Sequence, residues 1–230
     1  MSDLMPVDTN IHLAIDTSTG VSVGVARGRT VLASRTIIEP HVHAERLMLE
    51  VRDAVAETGH RLSDLAGVVV GLGPGPFTGL RVGIVTAQTL SYVLGIPLKG
   101  VCSLDAVGLA VTADGPYVAC SDARRKELYW ATYEHGRRTG GPYVTTPDQL
   151  PDLPVYGPGA DKYPAVHRGR PNPQGAETLD AGLMAAHIAD LPDAGTEPLY
   201  LRQADATVPG ARKSALPPER PERDRDGRTA

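Results

Sequence analysis

The sequence predicts an α/β fold on a mixed sheet, and three features predict it. Three short β-type segments follow one another between residues 11 and 36 with only tight turns between them. A nearly continuous apolar run, V-V-V-G-L at 68–72, lies between two helical patterns. A Gly/Pro-rich loop then leads from that run straight into a helix. Sequential hairpins require antiparallel pairing, whereas strands alternating with helices require parallel crossovers.

Residues 11–16 (I-H-L-A-I-D) read as a buried strand and 17–20 (T-S-T-G) as a turn. Residues 21–26 place valine at every second position, the period of a strand, and 30–36 supply a third strand after the turn at 27–29. A helix is predicted over 43–58, with Ala44, Leu47, Met48, Val51, Ala54, Val55 and Thr58 on one broad side and Gly59 ending it. Leu49 lies off that side and hints at a second contact.

The loop 73–76 opens a helix that runs to about Leu94, closed by Gly95 and Pro97. Gly79, Gly83 and Ala87 recur every four residues in it, a stripe that lets another backbone approach closely, with Leu80 and Ile84 beside it. Residues 98–101 read as a strand, and Ser103 as the N-cap of a helix over 104–111.

Three divisions follow: an α/β domain over 1–112, a smaller one over 113–207, and a charged, Pro-rich stretch over 208–230 that cannot bury enough apolar surface to order itself. In the second domain, 117–121 and 127–133 read as strands and 143–145 as an edge. Residues 155–157 read as a short core strand. A helix is expected over 179–191 with Leu183, Ala186 and Ala189 inward. Residues 198–202 form an apolar island before the charged stretch.

Hydrophobic residues are 41% of the 230, enough for a sizeable core; the net charge of -4 gives no overall basic footprint for nucleic acid. Aromatics at 4% argue against stacking platforms for single strands. Cys102 and Cys120 are too few for a disulfide framework and read as buried thiols. With an acidic N-terminus and no long apolar run, a cytoplasmic location and no membrane contact are expected.

Chemistry-bearing groups are sparse. Asp16, followed by Thr17 and Ser18 in a strand-to-strand turn, could hold hydrated Mg2+ and a phosphate, or satisfy the turn's own amides. The 73–79 loop could receive an anion at the helix N-terminus. It lacks the lysine of a P-loop, however, and two prolines remove donors, so a rigid turn on a close-packed helix is the stronger reading. Of the seven histidines only His41 and His43 are close, and H-x-x-x-H is absent, so no metal site is expected. Ser18, Ser22 and Ser103 have no evident base, so no catalytic residue is assigned. Asp122, Arg124 and Glu127, beside Tyr129 and Trp130, read as a salt-bridged turn or sheet edge.

Taken in order, D-T-S-T at 16–19, G-L-G-P-G-P-F-T-G-L-R-V-G at 71–83, the segment 101–104, D-A-R-R-K-E-L-Y at 122–129 and Y-L-R at 200–202 resemble the bacterial TsaB (YeaZ) family. That family is the glycoprotease-like branch of the actin/Hsp70-type ATPases, with a ribonuclease H-like fold. The resemblance implies two α/β subdomains with mixed sheets and no peptidase activity. TsaD, the larger relative, carries metal histidines in a V-N-H-x-x-G-H pattern; here 101–107 reads V-C-S-L-D-A-V, without either.

The resemblance implies a non-catalytic partner of TsaD that recruits the ATPase TsaE. The complex would transfer a threonylcarbamoyl group to the adenosine beside the anticodon of tRNAs reading codons that start with A. A homodimer could use the same surface. ATP or ADP and metal would sit on the partner subunits, with none in this chain. The interface is then expected on Ala44, Leu47, Met48, Val51, Gly79, Leu80, Gly83 and Ala87, and a bulky residue at Gly83 is expected to disturb pairing more than folding. The alternative is an independent actin-like ATPase or small-molecule kinase using Asp16 and Thr17.

Overall fold

A computed structural model describes residues 10–38, 43–163, 166 and 178–202, and in it helices and two mixed sheets alternate in layers. β1 (Ile11–Asp16), β2 (Val21–Arg27) and β3 (Thr30–Ile37) form an antiparallel meander. α1 (His43–Glu57) crosses over to β4 (Gly67–Gly71), parallel to β1, and α2 (Phe77–Leu94) to β5 (Leu98–Val101), parallel to β4. The order is β3-β2-β1-β4-β5.

α3 (Ser103–Leu109) leads into the second sheet, made of β6 (Tyr117–Asp122), β7 (Leu128–Glu134), β8 (Arg137–Thr145) and β9 (Val155–Tyr156). Its order is β8-β7-β6-β9, with β9 parallel to β6, so it repeats the four-strand plan of the first. α4 (Ala181–Ala186) follows.

The strand period sorts side chains into layers. Leu13, Ile15, Val23, Val25, Val68 and Val70 pack with α1 and α2. Ala14, Ala26 and Val69 face the other way. There, with α3 and α4, they meet Tyr117, Ala119, Ala131 and Tyr133 of the second sheet. Val118, Cys120, Leu128 and Trp130 build a third cluster on that sheet's far side. Each fully buried large aliphatic side chain stabilises the fold by about 1.5–3 kcal/mol. α4 lies against β2, β3 and β1 of the first sheet, and closely: a Cβ on Gly24 would sit 2.1 Å from the Gly182 nitrogen.

Four local expectations need correction. The helix expected over 179–191 spans only Ala181–Ala186, capped by Asp180, whose side chain accepts from the Gly182 N–H. Met184 and Ala185 are buried while Leu183 is only half-buried and Ala189 is exposed. A short Gly/Ala helix buried on most sides has no amphipathic stripe to read. Met48 is 44% exposed, because the buried arc of α1 extends instead to Glu50. Burial works to raise the Glu50 pKa, but Arg35 at 2.7 Å and Arg46 at 2.9 Å outweigh it and hold the carboxyl below its ordinary value. Ser103 does not cap α3; Cys102 precedes it without a side-chain cap. β8 is nine residues long, beyond the short edge expected, with register shifts opposite Trp130–Tyr133.

The stretch 208–230 lies outside the described residues, as do His41 and His167. Among the described residues no helix is long and apolar enough to cross a membrane.

Candidate functional site

The signature loop closes on the first turn of the chain. Asp16, at the end of β1, is buried; its Oδ1 accepts from the Ser18 N–H at 2.7 Å and the Ser18 hydroxyl at 2.6 Å. Its Oδ2 accepts from the Ser103 hydroxyl at 2.5 Å. Ser103 in turn exchanges hydrogen bonds with Gly73: the Gly73 N–H donates to Ser103 Oγ at 3.0 Å, and the Ser103 N–H to the Gly73 carbonyl at 2.8 Å. Thr17 donates to the Gly79 carbonyl at 2.8 Å. Burial raises the Asp16 pKa, and the hydrogen bonds from Ser103 and Ser18 oppose that rise.

This network explains the signature glycines. A Cβ on Gly71 would lie 1.6 Å from Asp16 Oδ2, and one on Gly83 would lie 2.3 Å from Thr17 Oγ1. A Cβ on Gly75 would meet the Ser18 Cα at 2.8 Å. The small stripe on α2 thus receives the chain's own β1–β2 turn. Gly79, Leu80, Gly83 and Ala87 are buried there, and Leu47 and Val51 are buried under α1. Of the residues expected to meet a partner, only Met48 is exposed; Ala44 lies in α1, with its side chain outside the described ones. The expectation for Gly83 is therefore reversed, since a bulky residue there collides with Thr17 before it reaches any partner.

Asp16, Thr17 and Ser18, the phosphate candidates, have their side-chain polar atoms hydrogen-bonded to internal partners. The loop at Gly75 packs directly on Ser18. Among the described residues no group of three or more His, Cys, Asp or Glu side chains is placed to hold a metal ion.

The opposite faces of the same helices present a different surface. On α2, Val85 is 58% exposed, Tyr92 89% and Val93 71%; on α1, Leu49 is 43% exposed beside Met48. α1 and α2 pack on one face of the first sheet and touch each other, so their outer faces form one side of the molecule. Scattered exposed apolar residues are ordinary; here five of them, Met48, Leu49, Val85, Tyr92 and Val93, lie on two helices that touch each other. The sequence contained this signal in the off-stripe positions Leu49, Val85 and Tyr92, of which only Leu49 is singled out by helical period.

Two other polar groups stand apart. Asp105, between the positions of the absent histidines, is buried; its Oδ1 accepts from the Tyr133 hydroxyl at 2.8 Å and pairs with Arg138 at 3.1 Å, while its Oδ2 has no hydrogen-bond partner among the described residues. Burial raises the Asp105 pKa, opposed by Tyr133 and Arg138. Sequence reasoning missed this acid because Tyr133 and Arg138 come from distant strands.

The β6–β7 turn holds Arg124, Arg125 and Lys126 at φ 59°, 51° and 63°, all three exposed. Left-handed backbone costs a non-glycine residue about 1–2 kcal/mol, so the turn keeps basic side chains where glycine would be cheaper. Asp122 does not pair with the Arg124 side chain as expected. It accepts from the Arg124 N–H at 3.2 Å and pairs with Lys162 at 2.5 Å. Cys102 and Cys120 are buried free thiols, pushed up to about 12 by burial, as structural thiols are.

A family model described as "TsaD: tRNA N6-adenosine threonylcarbamoyltransferase" matches residues 33–193. An uncharacterised protein of Mycobacterium tuberculosis (strain ATCC 25618 / H37Rv) is 44% identical over 213 residues, which is 87% of this chain and 95% of that protein. The tRNA threonylcarbamoyladenosine biosynthesis protein TsaB of Escherichia coli (strain K12) is 36% identical over 143 residues, 55% of this chain and 59% of its own length. Among solved structures, YeaZ from Pseudomonas aeruginosa matches with a TM-score of 0.67 at 27% identity, over 84% of this chain and 100% of that one.

Proposed function

This chain belongs to the family that the TsaD model describes, alongside the TsaB (YeaZ) proteins, and we propose that it serves tRNA threonylcarbamoyladenosine biosynthesis as a non-catalytic subunit that docks on TsaD. The observation that carries the reading is the division of α2 between two duties. Its inner face locks the signature loop against Asp16 and Thr17; its outer face, with that of α1, exposes Met48, Leu49, Val85, Tyr92 and Val93. An independent ATPase or kinase would need Asp16 and Thr17 free to face a phosphate, and their hydrogen bonds to Ser18, Ser103 and Gly79 argue against that use.

On this reading the exposed side of α1 and α2 buries against TsaD, or against a second copy of this chain when TsaD is absent. A stable contact needs on the order of 1,000 Å2 of total buried surface or more, which two helical faces can supply. TsaE joins the paired subunits. Nucleotide and metal act on the partner subunits, and tRNA is engaged by the assembled complex. This chain contributes the placement of TsaD.

Reconstitution tests the proposal. TsaD, TsaE, the enzyme that makes threonylcarbamoyl-adenylate, tRNA, threonine, bicarbonate and ATP are combined with and without this chain, and modified adenosine is measured. The chain is expected to be required, and to neither hydrolyse ATP nor modify tRNA alone. Full modification without it, or tight nucleotide turnover by the chain alone, overturns the proposal.

A further inference from the structure

A line of linked side chains runs from the outer face of α2 to the β6–β7 turn. Arg81 lies one turn before Val85; its guanidinium carbon stands 3.9 Å from the centroid of the Phe77 ring, and its Nε donates to the Tyr200 hydroxyl at 3.1 Å. Tyr200 packs on Phe77 at 4.9 Å between ring centroids. Two residues on, Arg202 donates to the Ala123 carbonyl at 3.0 Å and pairs with Glu127, at the foot of the turn that carries Arg124, Arg125 and Lys126. The segment 198–202 is itself tied to the first sheet, Leu199 N–H donating to the Leu72 carbonyl at 2.8 Å.

The charges along this line do not cancel. Asp122 is paired with Lys162 and Glu127 with Arg202, so each acid at the foot of the turn already faces a cation of its own. Beyond those pairs, Arg81, Arg124 and Lys126 add three exposed cations. Among the described residues, a chain of net charge -4 thus gathers an excess of positive charge along one ridge, with the part-exposed rings of Phe77 and Tyr200 interleaved. The ridge is also stiff. The Ala123 N–H donates to the Glu127 carbonyl at 3.0 Å and the Glu127 N–H to the Arg124 carbonyl at 2.9 Å, which fixes the stems from which the three basic side chains project.

The geometry points to a phosphate-binding ridge for the tRNA itself, running from the β6–β7 turn along Tyr200 and Arg81 to the side of α2 that faces TsaD. This rests on the tRNA-modification reading and adds to it a direct contact by this chain. Rigidly held cations suit a sugar–phosphate backbone, which is bound by charge and position and not by base identity. Because the ridge ends beside Val85, a tRNA lying on it would continue onto the partner subunit.

The test uses the full chain in complex with the TsaD of the same organism and a tRNA reading a codon that starts with A. Affinity is measured across a salt series for the unaltered chain, for Arg124→Ala/Lys126→Ala, and for the charge-preserving Arg124→Lys/Lys126→Arg. Light scattering first checks that each variant pairs with TsaD. The alanine pair is expected to weaken tRNA binding several-fold. It should also lower the slope of log affinity against log salt by about 1.5, roughly 0.7–0.9 for each lost phosphate contact. The charge-preserving pair keeps the slope. Unchanged affinity and slope in the alanine pair overturns the ridge while leaving the functional proposal standing. If the unaltered chain does not pair with TsaD, that proposal fails instead, and the same salt series on the chain alone decides the ridge by the same criterion.

Discussion

The two faces of α2 differ in every property that matters for function. The inner face holds the specific sequence, Gly79, Leu80, Gly83 and Ala87, all buried, with Gly79 and Gly83 meeting the β1–β2 turn. The outer face holds no motif at all, yet Val85, Tyr92 and Val93 are exposed there. A dense motif can mark the place where backbones must touch, and the surface that meets other molecules can be ordinary in sequence. The motif identifies the family; exposure marks the surface proposed to dock.

The sharpest way to break that comparison is to fill the inner face. Gly83→Val drives a side chain into Thr17, whose hydroxyl already lies 2.3 Å from where the Cβ would be. A loss of about 3 kcal/mol or more is expected, seen as a melting point lowered by roughly 10 °C or as insoluble protein. Thermal unfolding checks it, and a variant as stable as the parent would show that the loop yields more than its hydrogen bonds imply.

Next in size is Asp16→Ala, which leaves the Ser18 amide, the Ser18 hydroxyl and the Ser103 hydroxyl without their acceptor. Burying such donors unpaired costs about 1–3 kcal/mol apiece, though hydroxyls can turn elsewhere and the desolvated carboxylate is removed, so a net loss of about 2–3 kcal/mol is expected in urea titrations. Asp16→Asn keeps an acceptor and should lose less.

On the outer face the pattern inverts. Tyr92→Ala should cost pairing with TsaD roughly 2 kcal/mol, near thirtyfold in Kd, because exposed aromatic side chains carry disproportionate weight at interfaces. Its melting point should move by no more than about 2 °C, since an 89% exposed ring supports little of the fold. Calorimetric titration and melting, measured on the same sample, separate the two effects.

The smallest expected effect concerns pH. Asp105 has a raised pKa in the folded chain, so between its ordinary value of 3.8 and its folded value the native state holds a proton that the unfolded chain has released. Its contribution to stability therefore falls as pH rises through that window. The stability of Asp105→Asn relative to the unaltered chain should shift in the variant's favour between pH 4.5 and pH 7.5. A constant difference would mean that Arg138 and Tyr133 balance the burial fully.

Much of the first sheet was legible because its strands carry valine and isoleucine in the right period and its turns carry glycine. β1 and β5 begin and end at the residues expected, and α2 ends at Gly95 in the left-handed conformation that glycine favours. A helix was legible at α4, but its bounds and inward face were not, for a physical reason: Ala181, Gly182, Ala185 and Ala186 are small and buried, so the helix shows no polar face. The site was half legible. The small stripe on α2 and the Asp16 turn both stood out, but their mutual contact joins residues 62 positions apart and cannot be read from either alone. Glu50 misled in the other direction, a charge that is buried because Arg35 and Arg46 satisfy it.

The central claim is that the exposed sides of α1 and α2 dock on TsaD. The direct measurement is size-exclusion chromatography with light scattering, on this chain mixed with the TsaD of the same organism, unaltered and as Met48→Glu/Tyr92→Glu. The account predicts a one-to-one complex for the unaltered chain, and separate elution of a variant that melts as the parent does. A variant that still pairs with full affinity, or an unaltered chain that does not pair at micromolar concentration, would contradict it.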